Sequence, residues 1–178
     1  PGLVSTMTTL TLRTPYLLFV GSETEPIYAK TAAGLAKWSP EACMGQLSLP
    51  GGTIDLGLEN HDVPSAARAG AKSLVIGTSA VGGAIPSDWM PTLLSALSEG
   101  MDIVAGVHTK LNDIPELVSA AMESGAKLVD VRVPPKDIPV GTGKKRTGNR
   151  LLTVGTDCAL GKKYTTLAIS RRMVERGV

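Results

Sequence analysis

Aromatic side chains make up only 3% of this 178-residue sequence, too few for the stacking platforms on which single strands and RNA are read. Charge is nearly balanced at +2, whereas a dedicated nucleic-acid binder gathers a basic face to neutralise many phosphates. A nucleic-acid partner is therefore not expected. Two cysteines, Cys43 and Cys158, and two histidines, His61 and His108, stand without ligand spacing around any of them. Neither a metal nor a disulfide framework is expected from that pattern. No apolar run approaches the length of a bilayer crossing, and no cationic start leads into an apolar block. A cytoplasmic protein with no membrane partner is the expectation.

Apolar residues, at 43%, are plentiful enough to build a core. Short runs of Val, Leu and Ile alternate with segments of helical period, the pattern of βα units around a parallel sheet, so the fold class is α/β. Strands are predicted at Tyr16 to Val20, Ser73 to Ile76, Ile103 to Ala105, Leu128 to Val131 and Leu151 to Val154. A helix is predicted over Asp88 to Glu99, with Ser87 as N-cap, Leu93, Leu94 and Leu97 inward, and Gly100 as the stop. Another begins near Asp113 with Pro115 in its first turn, buries Leu117, Val118, Ala121 and Met122, and stops at Gly125. A third covers about Ile27 to Lys37. Ser39 to Ala69 reads only as one strand and a short helix.

Periodicity breaks after the fourth strand, at Pro134, Pro135, Pro139, Gly141 and Gly143, and the basic residues Lys144, Lys145, Arg146 and Arg150 follow. The organisation read from this is an N-terminal extension at 1–15, with Pro1 to Thr6 as an upstream addition or cloning scar, and an α/β domain at 16–135. A basic linker at 136–149 and the start of a second domain at 150–178 complete it.

The second domain opens with the pattern of strongest chemical meaning. An apolar strand leads into Gly155-Thr156-Asp157-Cys158-Ala159-Leu160-Gly161-Lys162, and a helical pattern then runs to about Arg176. A glycine-bounded loop ahead of a helix aims several amides at one point, where the helix adds partial positive charge. Gly155 to Lys162, with Lys163, Tyr164 and Thr165, are the candidate phosphate-binding residues. The usual loop has four residues between its glycines and a hydroxyl residue after the lysine. Five stand here, as in the similar loop of dethiobiotin synthetases, and Lys163 replaces the hydroxyl that normally holds Mg²⁺. Thr165 or Thr166 is the possible substitute. An ordinary βα turn with packing glycines is the competing reading.

Together with Lys30-Thr-Ala-Ala-Gly, Ile76-Gly, Gly82-Gly83, Gly106-Val-His-Thr-Lys-Leu-Asn-Asp and Val129-Asp-Val-Arg-Val-Pro-Pro, this loop makes the chain resemble a family catalogued as a domain of unknown function. Its members have a Rossmann-like front half and a phosphate-loop back half, and D-glutamate N-acetyltransferases belong to it. The resemblance implies a Rossmann-like sheet domain, then the first strand, loop and helix of a truncated P-loop domain. It implies acetyl transfer from acetyl-CoA to the amino group of D-glutamate, a small-molecule substrate. Family members are about twice this length, so the chain is expected to be a fragment, without the later acidic motif that would bind Mg²⁺. An isolated strand and helix cannot bury its apolar face alone and is expected to dock on the front domain or on another subunit, and a homo-oligomer is expected. The rival readings are an ATP-dependent kinase or ligase using Mg²⁺ and a non-enzymatic nucleotide-binding module.

In an open α/β sheet, ligands sit beyond the carboxyl ends of the strands. The loops Gly21 to Glu25, Gly77 to Gly83, Gly106 to Asn112 and Arg132 to Pro135 would face one such crevice. His108 is the candidate general base, although a plain loop histidine reads equally well. Arg132 is suited to a substrate carboxylate, and Asp130 beside it reads as a salt-bridge partner. Lys30 and Thr31, at a helix start, are candidates for holding an anion, and Gly82 and Gly83 for lining the substrate site. Lys144, Lys145 and Arg146 would either cover CoA phosphates or stay solvated. Cys158 would either carry an acetyl thioester or simply fit the loop.

Overall fold

The computed structural model of the protein describes residues 10–79, 81–133, 140, 141, 143–145, 147–157 and 160–178. The chain divides into two compact units, Pro1–Pro135 and Lys136–Val178.

The first unit carries a five-stranded sheet: β1 (Tyr16–Gly21), β2 (Cys43–Ser48), β3 (Ser73–Ile76), β4 (Asp102–Ala105) and β5 (Leu128–Asp130). Every pairing is parallel, in the order β2-β1-β3-β4-β5. Helices α1 (Lys30–Trp38), α2 (Val63–Arg68), α3 (Met90–Ser98) and α4 (Pro115–Ser124) make the crossovers. On β1, Leu17 and Phe19 enter the core shared with α2, α3 and α4, whereas Leu18 and Val20 enter the one shared with α1. The two-residue period of a strand thus divides one apolar run between two faces, and both are covered, as parallel sheets require.

The helix stops fall at the predicted glycines, Gly100 and Gly125, both at positive φ. Other expectations need correction. The first helix starts at Lys30 rather than Ile27, because Pro26 to Tyr28 form a turn closed by Tyr28 N–H to Glu25 and Ala29 N–H to Pro26. Ser87 caps nothing: it opens a 3-10 turn, Ser87–Trp89, from which α3 continues at Met90. Met122 is 80% exposed, because Leu117 and Ala121, four apart, define the inward stripe of α4 and the next position turns away from it. β5 ends at Asp130, whose carboxylate turns to cap the neighbouring loop.

The stretch from Ser39 to Ala69 holds β2 and α2, tied together by a buried amide. Gln46, 1% exposed, donates from Nε2 to the Ile54 carbonyl and accepts at Oε1 from the Leu56 amide. Asp62 caps α2 through the Ser65 amide at 2.7 Å. Of the segment read as an extension, Leu12 and Arg13 are built into this unit. Arg13 holds Asp102 through two bonds of 2.7 and 2.6 Å, and Leu12 packs on the α1 side of the sheet.

The second unit contains one helix, α5 (Lys162–Glu175), among the described residues. Leu151 to Val154 is not a strand there. A strand needs a neighbour for its backbone groups and its apolar face, and Leu151, Leu152 and Val154 lie exposed at 68%, 80% and 79%.

Candidate functional site

In the second unit, the glycine-bounded segment leads directly into α5. Gly161 takes φ +86 at the N-cap and no side chain caps the helix. A helix start led by a glycine, with no side-chain cap among the described residues, is an arrangement that can receive an anion. No acidic residue lies in that turn. Lys162 folds its ammonium back onto the Asp157 carbonyl across the loop, and Lys163 lies 5.1 Å from the Tyr164 ring centre. Thr165 donates its amide to Gly161. Thr166 is already engaged: its hydroxyl meets Thr153 Oγ1 at 2.6 Å and donates to the Lys162 carbonyl at 3.0 Å. Gly155, Thr156 and Leu160 are in this segment, whereas Cys158, Ala159 and the linker's Arg146 lie outside the described residues. Ten Lys and Arg stand against three acids in residues 136–178. That balance suits a polyanionic ligand.

In the first unit, three candidate residues come together at the carboxyl ends of β4 and β5. Gly83, at φ +71, packs so tightly on His108 that a Cβ there would lie 2.3 Å from His108 Cδ2. The Gly83 carbonyl accepts from the amides of His108 and Thr109 at 3.1 and 3.2 Å. His108 Nε2 in turn lies 3.4 Å from Arg132 Nη1. A guanidinium only donates, so that contact uses the Nε2 lone pair and leaves the imidazole proton on Nδ1.

Asp130 supports the cluster without forming an ion pair among the described residues, contrary to the salt bridge read from sequence. It accepts from the amides of Leu111 and Asn112 at 2.8 and 3.4 Å and from Asn112 Nδ2 at 2.7 Å. Those bonds anchor the far end of the loop that carries His108. Gly82, also at positive φ, meets nothing within 4 Å of a Cβ. Lys30 and Thr31 open α1, but the helix's third amide, Ala32 N–H, is already taken by the Gly77 carbonyl at 3.0 Å.

A cleft of about 420 Å³ lies at the carboxyl ends of β1 and β3, bordered by Glu23, Tyr28, Thr78, Ser79, Asp88 and Trp89. In the strand order seen here, this is where crossovers leave in opposite directions, the usual ligand position in an open α/β sheet. The loops holding Glu23 and Thr78 were legible as crevice loops, but these side chains were not singled out. Asp88 was hidden by being read as the first turn of a helix. No helix of the described residues is long and apolar enough to cross a membrane.

Two family models match the chain: "domain of unknown function (DUF1611_N) Rossmann-like domain" over residues 53–134 and "domain of unknown function (DUF1611_C) P-loop domain" over residues 139–178. A protein named D-glutamate N-acetyltransferase from Tritonibacter scottomollicae is 46% identical over 167 residues, which is 94% of this chain and 50% of that protein. Another of the same name, from a Pseudoalteromonas species, is 42% identical over the same shares. The chain thus spans about half the length of the curated relatives it matches. Among solved structures, the crystal structure of a DUF1611 family protein from Anabaena variabilis superposes with a TM-score of 0.77 at 30% identity, covering 93% of this chain and 51% of that one. With the Rossmann-like and P-loop models matched in that order along one chain, the protein belongs to the DUF1611 family.

Proposed function

We propose that the protein serves an N-acetyltransferase reaction in which the acetyl group of acetyl-CoA passes to the amino group of D-glutamate. The observation that carries this reading is 46% identity, across 94% of the chain, to a protein bearing that name. The geometry supports it at two places. The glycine-led start of α5, with Lys162, suits the phosphates of a CoA molecule, and the surrounding basic excess suits its charge. Arg132 suits a carboxylate of the acceptor by a two-point contact.

The reaction needs a free amine, because an ammonium has no lone pair with which to attack. His108 is the assigned base: a ligand carboxylate that drew Arg132 towards itself would release the Nε2 lone pair to take the ammonium proton. The amine then attacks the thioester carbonyl, a C–N bond forms, the C–S bond breaks, and the thiolate of CoA leaves. Cys158 as an intermediate acyl carrier is the alternative route to the same product.

The five-residue spacing between Gly155 and Gly161 favours a second reading, an ATP-dependent kinase or ligase like dethiobiotin synthetase. Two observations weigh against it. Lys163 stands where a Mg²⁺-binding hydroxyl belongs, and the Thr166 hydroxyl is spent on Thr153 and the Lys162 carbonyl. Thermal melting with acetyl-CoA, CoA, ATP, and ATP plus Mg²⁺ separates the two, since a ligand bound only by the native state stabilises it, by about 2.7 kcal/mol at a hundred times its Kd. The expected result is a rise with acetyl-CoA and CoA without Mg²⁺, lost in Lys162→Ala. A rise with ATP plus Mg²⁺ alone would replace the first reading by the second.

A further inference from the structure

The cleft between β1 and β3 is not used by either group of residues discussed above, and its composition is specific. Among its described lining residues there is no cationic side chain, while Glu23 and Asp88 bring two carboxylates. Glu23 spends Oε1 on the amides of Thr24 and Glu25, both at 2.9 Å, which fixes that carboxylate and leaves Oε2 without a partner among the described residues. Thr78, beside them, is 5% exposed, and its hydroxyl is buried with no hydrogen-bond partner among the described residues. A buried hydroxyl left unpaired costs about 1–3 kcal/mol. Buried polar atoms are paired in nearly all native structures, so an orphan in a cleft wall points to a missing partner.

We propose that this cleft is the receptor for a primary ammonium group, held by Glu23, Asp88 and the hydroxyl of Thr78. An ammonium offers three donors and no acceptor, and the cleft answers with three acceptors of suitable charge. Charge-assisted bonds of that kind are about twice as strong as neutral ones. The wider unit agrees in sign: residues 1–135 hold thirteen Asp and Glu against eight Lys and Arg. A phosphate or carboxylate ligand that brings no ammonium would meet repulsion in the same place. The hydroxyls of Ser22 and Ser79 at the rim can donate to a carboxylate carried on the same carbon as the ammonium. The proposal rests on the acetyltransferase reading for the identity of the ligand, an amino acid acceptor whose still-protonated amine is received here before His108 takes its proton, but the cleft's chemistry stands apart from that reading.

Trp89 lines the cleft and is one of two tryptophans, so its indole N–H resonance reports occupancy. Titrations of the whole protein with D-glutamate, with glutarate, which is the same skeleton without nitrogen, and with propylamine test the proposal. The expected result is that D-glutamate and propylamine shift the Trp89 signal, with glutarate at least tenfold weaker. Thr78→Val, which keeps the side-chain shape, should weaken both amines about tenfold while the melting temperature holds or rises; Asp88→Asn should act in the same direction. Equal response to glutarate, no response to either amine, or full affinity in Thr78→Val and Asp88→Asn would overturn the ammonium site. A Thr78-dependent response to propylamine in a protein that does not acetylate D-glutamate upholds the site and removes the acetyltransferase reading instead.

Discussion

Replacing Gly83 by alanine puts the His108 assignment under a steric test. The residue sits at φ +71, and the added Cβ would lie 2.3 Å from His108 Cδ2 and 2.9 Å from Cγ. Unstrained carbon contacts lie at about 3.5–4.0 Å, so the imidazole must retreat by roughly 1 Å or the loop must open, losing the two bonds that the Gly83 carbonyl accepts. The left-handed backbone adds about 1–2 kcal/mol for any residue with a Cβ. Gly82→Ala supplies the control, because Gly82 has φ +75 yet nothing within 4 Å of its Cβ. Both variants carry the backbone strain, and only one strikes the histidine. Acetyl transfer from acetyl-CoA to D-glutamate, read by thiol release, should fall about a hundredfold in Gly83→Ala, the usual result of misplacing a reacting group by about 1 Å. Gly82→Ala should stay within a few-fold of the parent while melting lower by a similar amount. Equal losses in the two variants, or full turnover in Gly83→Ala, would refute the role given to His108.

Arg13→Ala should destabilise the first unit by about 2 kcal/mol. Leaving a buried carboxylate unpaired costs about 3–5 kcal/mol, which is discounted here because the Arg13 side chain is 46% exposed and water reaches the site; urea unfolding checks it, and no shift in midpoint would refute it. The Asp62 carboxyl titrates below its ordinary value because the Ser65 hydroxyl and amide bond to its charged form. The stability it contributes is therefore complete above about pH 4 and is lost as pH falls through its lower native value. Asp62→Asn should flatten that part of a stability–pH curve, and an unchanged curve would show that the cap does not titrate as argued. Burial first, and then the charge of Glu41, push the Cys43 thiol up. Its alkylation near neutral pH should be several-fold slower than that of a free thiol and should quicken in Glu41→Gln; mass spectrometry of the Cys43 peptide reads both, and a rate equal to the free thiol's would contradict the burial argument.

Strands buried on both faces were legible because they appear as unbroken apolar runs: Ser73–Ile76 has the same bounds in the sequence reading and in the structure. Helix stops were legible because glycine alone takes positive φ without strain. What escaped was everything set by long-range bonds. Gln46 organises the loop from Ile54 to Leu56 through its amide, and nothing in the local pattern distinguishes it from a surface glutamine. Arg13 lies far along the chain from Asp102, so nothing local in the sequence joins the two. Leu151 to Val154 fails in the opposite way. Its local preference for a strand is real, but β structure is realised only against a partner.

The candidate site divides along the same line. The proposed phosphate grip would be a local property of consecutive backbone amides, which is why a run such as Gly155 to Lys162 can suggest it in sequence. The proposed site for a small amino acid would not be local. His108 and Arg132 meet because β4 and β5 are neighbours, and Thr78, Glu23 and Asp88 border one cleft because the order β2-β1-β3 sends its crossovers apart at that edge. A single chain position carries no trace of that order. On the proposed reading, the basic segment would suit a coenzyme with several phosphates and the cleft's carboxylates would suit the acceptor's ammonium, while the acceptor's own carboxylates would need a cation such as Arg132.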